Sequence, residues 1–403
     1  MNRTIEHAFR ALESIPAAIP TAMRRFRCAA IALVALFCLL GAHAFAQASF
    51  VDVNLVAHAD DDGFFQNPDI FNAILNNHTV VTVYLTGGNV QVDDYYYMYQ
   101  REQGSLHEYS AMAAAAAYMN ANGIVPGYGS GADPATMDQV FQAIIPDMVH
   151  WSIHQKAYSG VTLTQADSTT FPNLHLIFMR FPSAATIAGA PIGTSVQGTS
   201  VTPLQTLGSI YGNSGLTQAS VDGATVFSKA SMTKALGGIL SAYHPTVIRA
   251  LDYLNTGYQD GSIYDSTSIH YDHLDHYWAG WFVHDAVHTY AKSKPKVTPQ
   301  LWDYRGYNMY TYPDNTTLIA NFFAEIKYWV LYHYSFYDFH MQELIYTNDY
   351  SDEPSYTYTR GCVSNANCLT GFAAFQNNET GGTPGFTNNA ENHQGPTQVL
   401  PLP

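Results

Sequence analysis

Three runs of β-branched and apolar residues limit what this chain can fold into: VDVNLVA (Val51 to Ala57), TVVTVYLT (Thr79 to Thr86) and TVIRALDYL (Thr246 to Leu254). A short helical stretch, Pro68 to Asn76, separates the first two, and a long helix from about Tyr95 to Asn122 follows the second. Strand, helix, strand, helix in that order predicts a mostly parallel sheet wrapped by helices, an α/β fold of Rossmann-like design. The order resumes with a helix near Lys229 to Tyr243, the third strand, and helices from about Asp275 to Lys292 and Thr317 to Tyr334. Between them, from about Val161 to Val226, the composition shifts to Ser, Thr, Gly and Ala, with apolar islands such as LHLIFMRF (Leu174 to Phe181). This segment reads as strands and loops inserted into the core.

The two ends of the chain read differently from this middle. Residues 1–46 have the form of an export signal: Arg24, Arg25 and Arg27, then the apolar run Cys28 to Ala42, then small-residue cleavage sites. That run is shorter than the ~20 residues a spanning helix needs, so no membrane anchor is expected after cleavage. The mature protein is therefore expected outside the cytoplasm, periplasmic or extracellular, with a catalytic domain over 47–347. Beyond it, 348–403 reads as an irregular tail in which Cys362 and Cys368 would form a small-loop disulfide. The net charge of −15 disfavours nucleic acid as a partner.

Chemistry concentrates in two places. The first strand runs into LVAHADDDG (Leu55 to Gly63), which sets a histidine and three successive carboxylates at a strand end. In parallel α/β sheets the ligand site lies at that edge. The second is SIHYDHLDHYWAG (Ser268 to Gly280), with two overlapping H-x-D-H units, after a strand and at the start of a helix. Two imidazoles, a carboxylate and one position left for water make the composition of a catalytic zinc site. An acidic triplet alone is more often a solvated loop; the conjunction of both clusters at strand ends points to metal. His78, His150, His154 and His393 read as surface or structural residues.

These residues carry a resemblance. VAHADDD resembles the A-H-P-D-D-E signature of the GlcNAc-phosphatidylinositol de-N-acetylase (PIG-L, LmbE-like) family, and HLDH resembles its H-P-D-H motif. YLTGG (Tyr84 to Gly88) is similar to the family's second strand and glycine turn. REQGSLHEYSAMA (Arg101 to Ala113) is similar to the Arg-Glu helix of its larger exported members, and Lys327, His333 and Ser335 to a helical K-x5-H-x-S pattern. Small residues three, four and ten positions after His276 (Ala279, Gly280, Ala286) favour it over His273 as the motif's ligand histidine; His270 is the runner-up for a site role. The departures are Ala59 for proline, which would loosen the turn, and Asp62 for glutamate.

The resemblance implies that His58, Asp61 and His276 hold a divalent metal, Zn²⁺ by expectation. Asp60 would be the general base and a protonated His273 would share the charge of the tetrahedral intermediate. Asp62 and Asp275 would act from behind the ligands, Asp275 by orienting an imidazole. Arg101 would either bind substrate or pair with Glu102 or Asp94. The implied reaction is removal of an acetyl group from an N-acetylated amino sugar or glycan, and the many aromatic residues suit sugar faces. The rival reading is a non-catalytic carbohydrate-binding protein on the same fold.

Overall fold

The computed structural model describes residues 50–88, 95–123, 150–183, 194–197, 200–203, 205–253, 272–294, 299–307 and 322–338. The expected leader, the Cys362–Cys368 pair, His270, His393, Asp94 and the tail lie outside these residues. Among the described residues no helix is long and apolar enough to cross a membrane.

Seven strands form one sheet in the order β11-β10-β1-β2-β5-β4-β3. They are β1 (Val51–Val56), β2 (Thr79–Thr86), β3 (Trp151–Tyr158), β4 (Val161–Ser168), β5 (Leu174–Phe181), β10 (Val247–Leu251) and β11 (Gln300–Tyr304). The strands from β11 to β5 run parallel, and β4 and β3 close that side as an antiparallel pair. The segment from 161 to 226 is thus only partly an insertion. Its apolar islands are β4 and β5, buried members of the main sheet, and the remainder carries two small hairpins, β6 (Thr194–Gln197) with β7 (Ser200–Pro203) and β8 (Gln218–Ala219) with β9 (Val226–Phe227).

Helices cover the sheet: α1 (Asp69–Leu75), α2 (Tyr95–Asn122), α3 (Leu207–Gly212), α4 (Lys229–Tyr243), α5 (Leu274–Ser293) and α6 (Phe322–Ser335). Two glycines permit the close crossings that matter for the site. A Cβ at Gly280 of α5 would stand 2.6 Å from the Leu251 carbonyl at the end of β10, so this helix rests directly on the strand end. A Cβ at Gly104 of α2 would stand 2.8 Å from the Tyr334 ring of α6. Ala279 and Ala286 are buried on the same helix as Gly280, as the small-residue spacing after His276 requires.

Because β2 lies on one side of β1 and the later β10 on the other, the winding of the sheet reverses between β1 and β10. The carboxyl ends of β1 and β10 are thus the switch point at which open α/β sheets bind ligands. Both sequence clusters fall there.

Candidate metal centre

The chain leaves β1 at Val56 and enters a five-residue π-helical turn, Asp62–Gln66. Such turns are rare and recur at functional sites. Thr86 donates to the Ala57 carbonyl from β2, and Ser105 Oγ donates to the Ala59 carbonyl from α2, so the segment holding His58 is pinned on both sides. That pinning holds the turn at Ala59 without a proline there. Lys327 of α6, fully buried, donates to the Phe64 carbonyl at 2.6 Å and secures the π-turn from above.

Three donor atoms converge at this end of β1. His58 Nδ1 lies 3.1 Å from His276 Nε2 and 3.3 Å from Asp61 Oδ1, and His276 Nε2 lies 3.0 Å from the same oxygen. An ion bound tetrahedrally at about 2.0–2.1 Å has ligand–ligand edges of about 3.3–3.4 Å, so the triangle has the size of one tetrahedral face. The two histidines are 218 positions apart in sequence. Wider groupings also form around His58, with His273 and His276 or with Asp60 and Asp61, their donor atoms within 4.8 Å of one another. Two imidazole nitrogens and a carboxylate oxygen suit a borderline-soft divalent ion such as Zn²⁺.

The outward nitrogen of each imidazole faces its own carboxylate. His58 Nε2 is 3.3 Å from Asp275 Oδ2, and His276 Nδ1 is 2.6 Å from Asp272 Oδ1. A carboxylate behind an imidazole fixes its tautomer and raises its basicity as a ligand. Asp275 therefore backs His58 from a distant part of the chain, and the same carboxylate oxygen stands 3.9 Å from His273 Nδ1. Asp272 had no assigned role in the sequence; its only signal was the discarded first H-x-D-H unit, in which it stands.

The charges are held tightly. Burial opposes it, yet Asp61 and the hydrogen bond to Asp275 push His58 up to about 8. Asp61 is held well below the usual carboxylate range: burial pushes upward, and His276 and His58 outweigh it. His276 is held well above an ordinary histidine, against burial, by Asp61 and Asp272.

His273 behaves differently from the protonated residue expected. Burial, followed by the neighbouring His58, lowers it to about 3, so the ring is neutral. It caps α5, its Nδ1 accepting from Asp275 N–H at 3.0 Å, which leaves the ring proton on Nε2. Its ring stands edge-on to His58 at 4.5 Å.

Asp60 stays within reach of Asp61 and His58 but pairs with Arg101. Burial pushes the Asp60 carboxyl up while the guanidinium pulls it down, and the net direction is upward. All three Arg101 nitrogens are committed to protein partners: one to Asp60, one to the Gly88 carbonyl at 2.9 Å, and Nε to Tyr334 Oη at 2.8 Å. Gly88, at φ +61°, leaves the room: a Cβ there would stand 2.4 Å from the guanidinium. Glu102 pairs instead with Arg180, at 2.6 and 2.7 Å.

Asp62 does not face the cluster. It accepts from Tyr84 Oη at 2.7 Å, Tyr109 Oη at 2.9 Å and Gly63 N–H at 3.0 Å, tying the turn to β2 and α2. Burial raises it to about 7 despite these donors. Of the other motif residues, His333 accepts from His107 through its backbone carbonyl, and Ser335 Oγ donates to the Tyr332 carbonyl. His78 is buried in an ion pair with Asp52, whereas His154 is largely exposed beside Asp167.

No family model matches this chain, and no curated protein does. Among solved structures, it is similar to the zinc inhibited form of teicoplanin deacetylase Orf2, at 10% identity and a TM-score of 0.36, covering 75% of this chain and 90% of that one. It is also similar to a deacetylase in complex with teicoplanin, at 12% identity and a TM-score of 0.32, covering 78% and 96%. What the site can do is read from its own side chains.

Proposed function

We propose that this protein is a metal-dependent hydrolase that removes the acetyl group from an N-acetylated amino sugar or related N-acetyl compound. The observation that carries the reading is the triangle of His58 Nδ1, Asp61 Oδ1 and His276 Nε2, with edges of 3.0–3.3 Å. These residues would hold the ion, Zn²⁺ by donor set. When bound, it supplies Lewis acidity, lowering the pKa of water to about 7 and polarising an acyl oxygen.

The chain's own residues divide the remaining work. Asp60, with its pKa raised by burial, takes the proton of the attacking water and returns it to the departing amine. Arg101 holds the carboxylate in place for both transfers. His273 offers Nε2–H to the oxyanion that develops on the acyl carbon; a neutral ring suffices, because a hydrogen bond in a buried site is worth far more than in water. Asp275 and Asp272 fix the two imidazoles from behind. With the leader read at 1–46, the substrate belongs outside the cytoplasm, an envelope or extracellular glycan or a small secreted N-acetyl compound.

The test is acetate release from a panel of N-acetylglucosamine derivatives, with and without chelator, for wild type and Asp60→Asn. Release that chelator and the substitution both abolish is the expected result. Binding of the panel without any release, equal in both proteins, would leave the carbohydrate-binding alternative standing instead.

A further inference from the structure

Beyond β11 the chain turns through Arg305, Gly306 and Tyr307 against Asp272, the carboxylate behind His276. A Cβ built on Gly306 would lie 2.1 and 2.2 Å from the two Asp272 oxygens and 2.4 Å from Cγ, well inside any real contact. Asp272 has nowhere to retreat. It is buried, and its Oδ1 accepts from His273 N–H at 2.8 Å and Tyr307 N–H at 3.2 Å besides meeting His276 Nδ1 at 2.6 Å. The same turn reaches the imidazole itself. The Tyr307 ring lies nearly parallel to His276, at 27° and 5.5 Å, and Phe65 stands edge-on to both at 5.2 Å.

Gly104 and Gly280 also lie close to their neighbours, but what they meet is aromatic ring and backbone, ordinary helix packing. At Gly306 the neighbour is a carboxylate already engaged by three donors. A methyl group there must swing that carboxylate and break or bend its bond to His276.

We propose that Gly306 is a positioning residue of the metal centre: its bare backbone lets the turn after β11 hold Asp272, and through Asp272 the His276 imidazole, at the angle where Nε2 joins His58 Nδ1 and Asp61 Oδ1. The inference rests on the metal-site reading above. Its test is zinc affinity by calorimetric competition, with a melting curve beside it, for wild type, Gly306→Ala, Asp272→Ala and the double variant. Gly306→Ala is expected to weaken zinc binding about 10- to 100-fold, the range for lost partners behind a ligand. In the Asp272→Ala background the second change should alter affinity less than about twofold, because the carboxylate it would displace is gone.

Affinity of Gly306→Ala within twofold of wild type overturns the proposal, as do two losses that simply multiply. If Gly306→Ala alone does not yield folded protein, recovery of folding in the double variant supports the inference and its failure to recover overturns it. A wild type that binds no zinc removes the metal reading itself, a result separate from either.

Discussion

Strand β1 carries a buried histidine–aspartate cluster near each end, and the two are wired in opposite ways. Near its start, Asp52 is enclosed by His78 at 2.6 Å and Arg249 at 2.7 Å, each partner approaching a different carboxylate oxygen. Beyond its end, His58, Asp61 and His276 turn their donor atoms toward one another, while Asp275 and Asp272 face the imidazoles from outside. In the first cluster unlike charges face each other and the arrangement is closed. In the second, two imidazole nitrogens 3.1 Å apart and one Asp61 oxygen meet at a single point, so three ligand-type atoms share one place. The same residue types are structural in one place and poised for a ligand in the other, and donor direction separates them.

Substitutions can break this contrast. The largest effect is expected for His276→Ala and Asp60→Asn: deacetylation should fall by about 10³-fold or more, read as acetate release. His276→Ala should also lower the melting temperature, because it strands the buried Asp61 and Asp272 carboxylates, whereas the near-isosteric Asp60→Asn should lower it less. Asp52→Ala should destabilise the fold by about 3–5 kcal/mol in urea titration by stranding Arg249, while zinc affinity stays within twofold. If Asp52→Ala abolishes metal binding at unchanged stability, the distinction drawn between the clusters is wrong.

Next in size is the effect of the ion. Zinc held at a fixed concentration, one hundred times the Kd measured at pH 6.5, should stabilise the protein by about 2.7 kcal/mol at that pH. The gain should widen with pH. His58 is raised from 6.5 to about 8 in the ion-free fold, so its contribution is complete below pH 6.5 and lost as pH climbs through about 8. The zinc-loaded protein has no such proton to lose. Melting curves across that window, with and without zinc, check the sign, and a gain that shrinks with pH would refute it.

Asp52 gives a smaller effect at the opposite end of the pH scale. Burial would raise it, but Arg249 and His78 pull it below its ordinary 3.8, so its contribution is present above that value and disappears as pH falls further. Asp52→Asn should flatten the acid limb of the stability curve, measured by urea titration at successive pH values. The smallest change expected is Tyr84→Phe, which removes one of two tyrosine donors to Asp62, at a cost of about 1 kcal/mol and with little loss of activity.

Much of this was legible in the sequence where burial imposed a pattern. TVVTVYLT is β2 residue for residue, and α2 and α4 keep the boundaries their composition suggests. Strand β3, WSIHQKAY, leaves no apolar alternation in the sequence, because it pairs on one side only and most of its residues face solvent. The short edge strand β11 was hidden for a related reason, within an aromatic segment that has no period of two. At the site, His58, Asp61 and His276 could be named from strand-end position and motif. The pairing of Arg101 with Asp60, and of Asp272 with His276, could not, since both depend on how a helix or a later loop crosses the strand ends.

The position of β1 between β2 and β10 has a kinetic consequence. Its pairing with β2 joins neighbours in the chain, whereas its pairing with β10 must wait for nearly two hundred intervening residues to be gathered in, the kind of distant contact that slows folding. The ligand triangle spans exactly that late seam. Capture of a divalent ion at the proposed site during refolding should therefore lag the first burst of secondary structure and report the moment the two halves of the sheet meet.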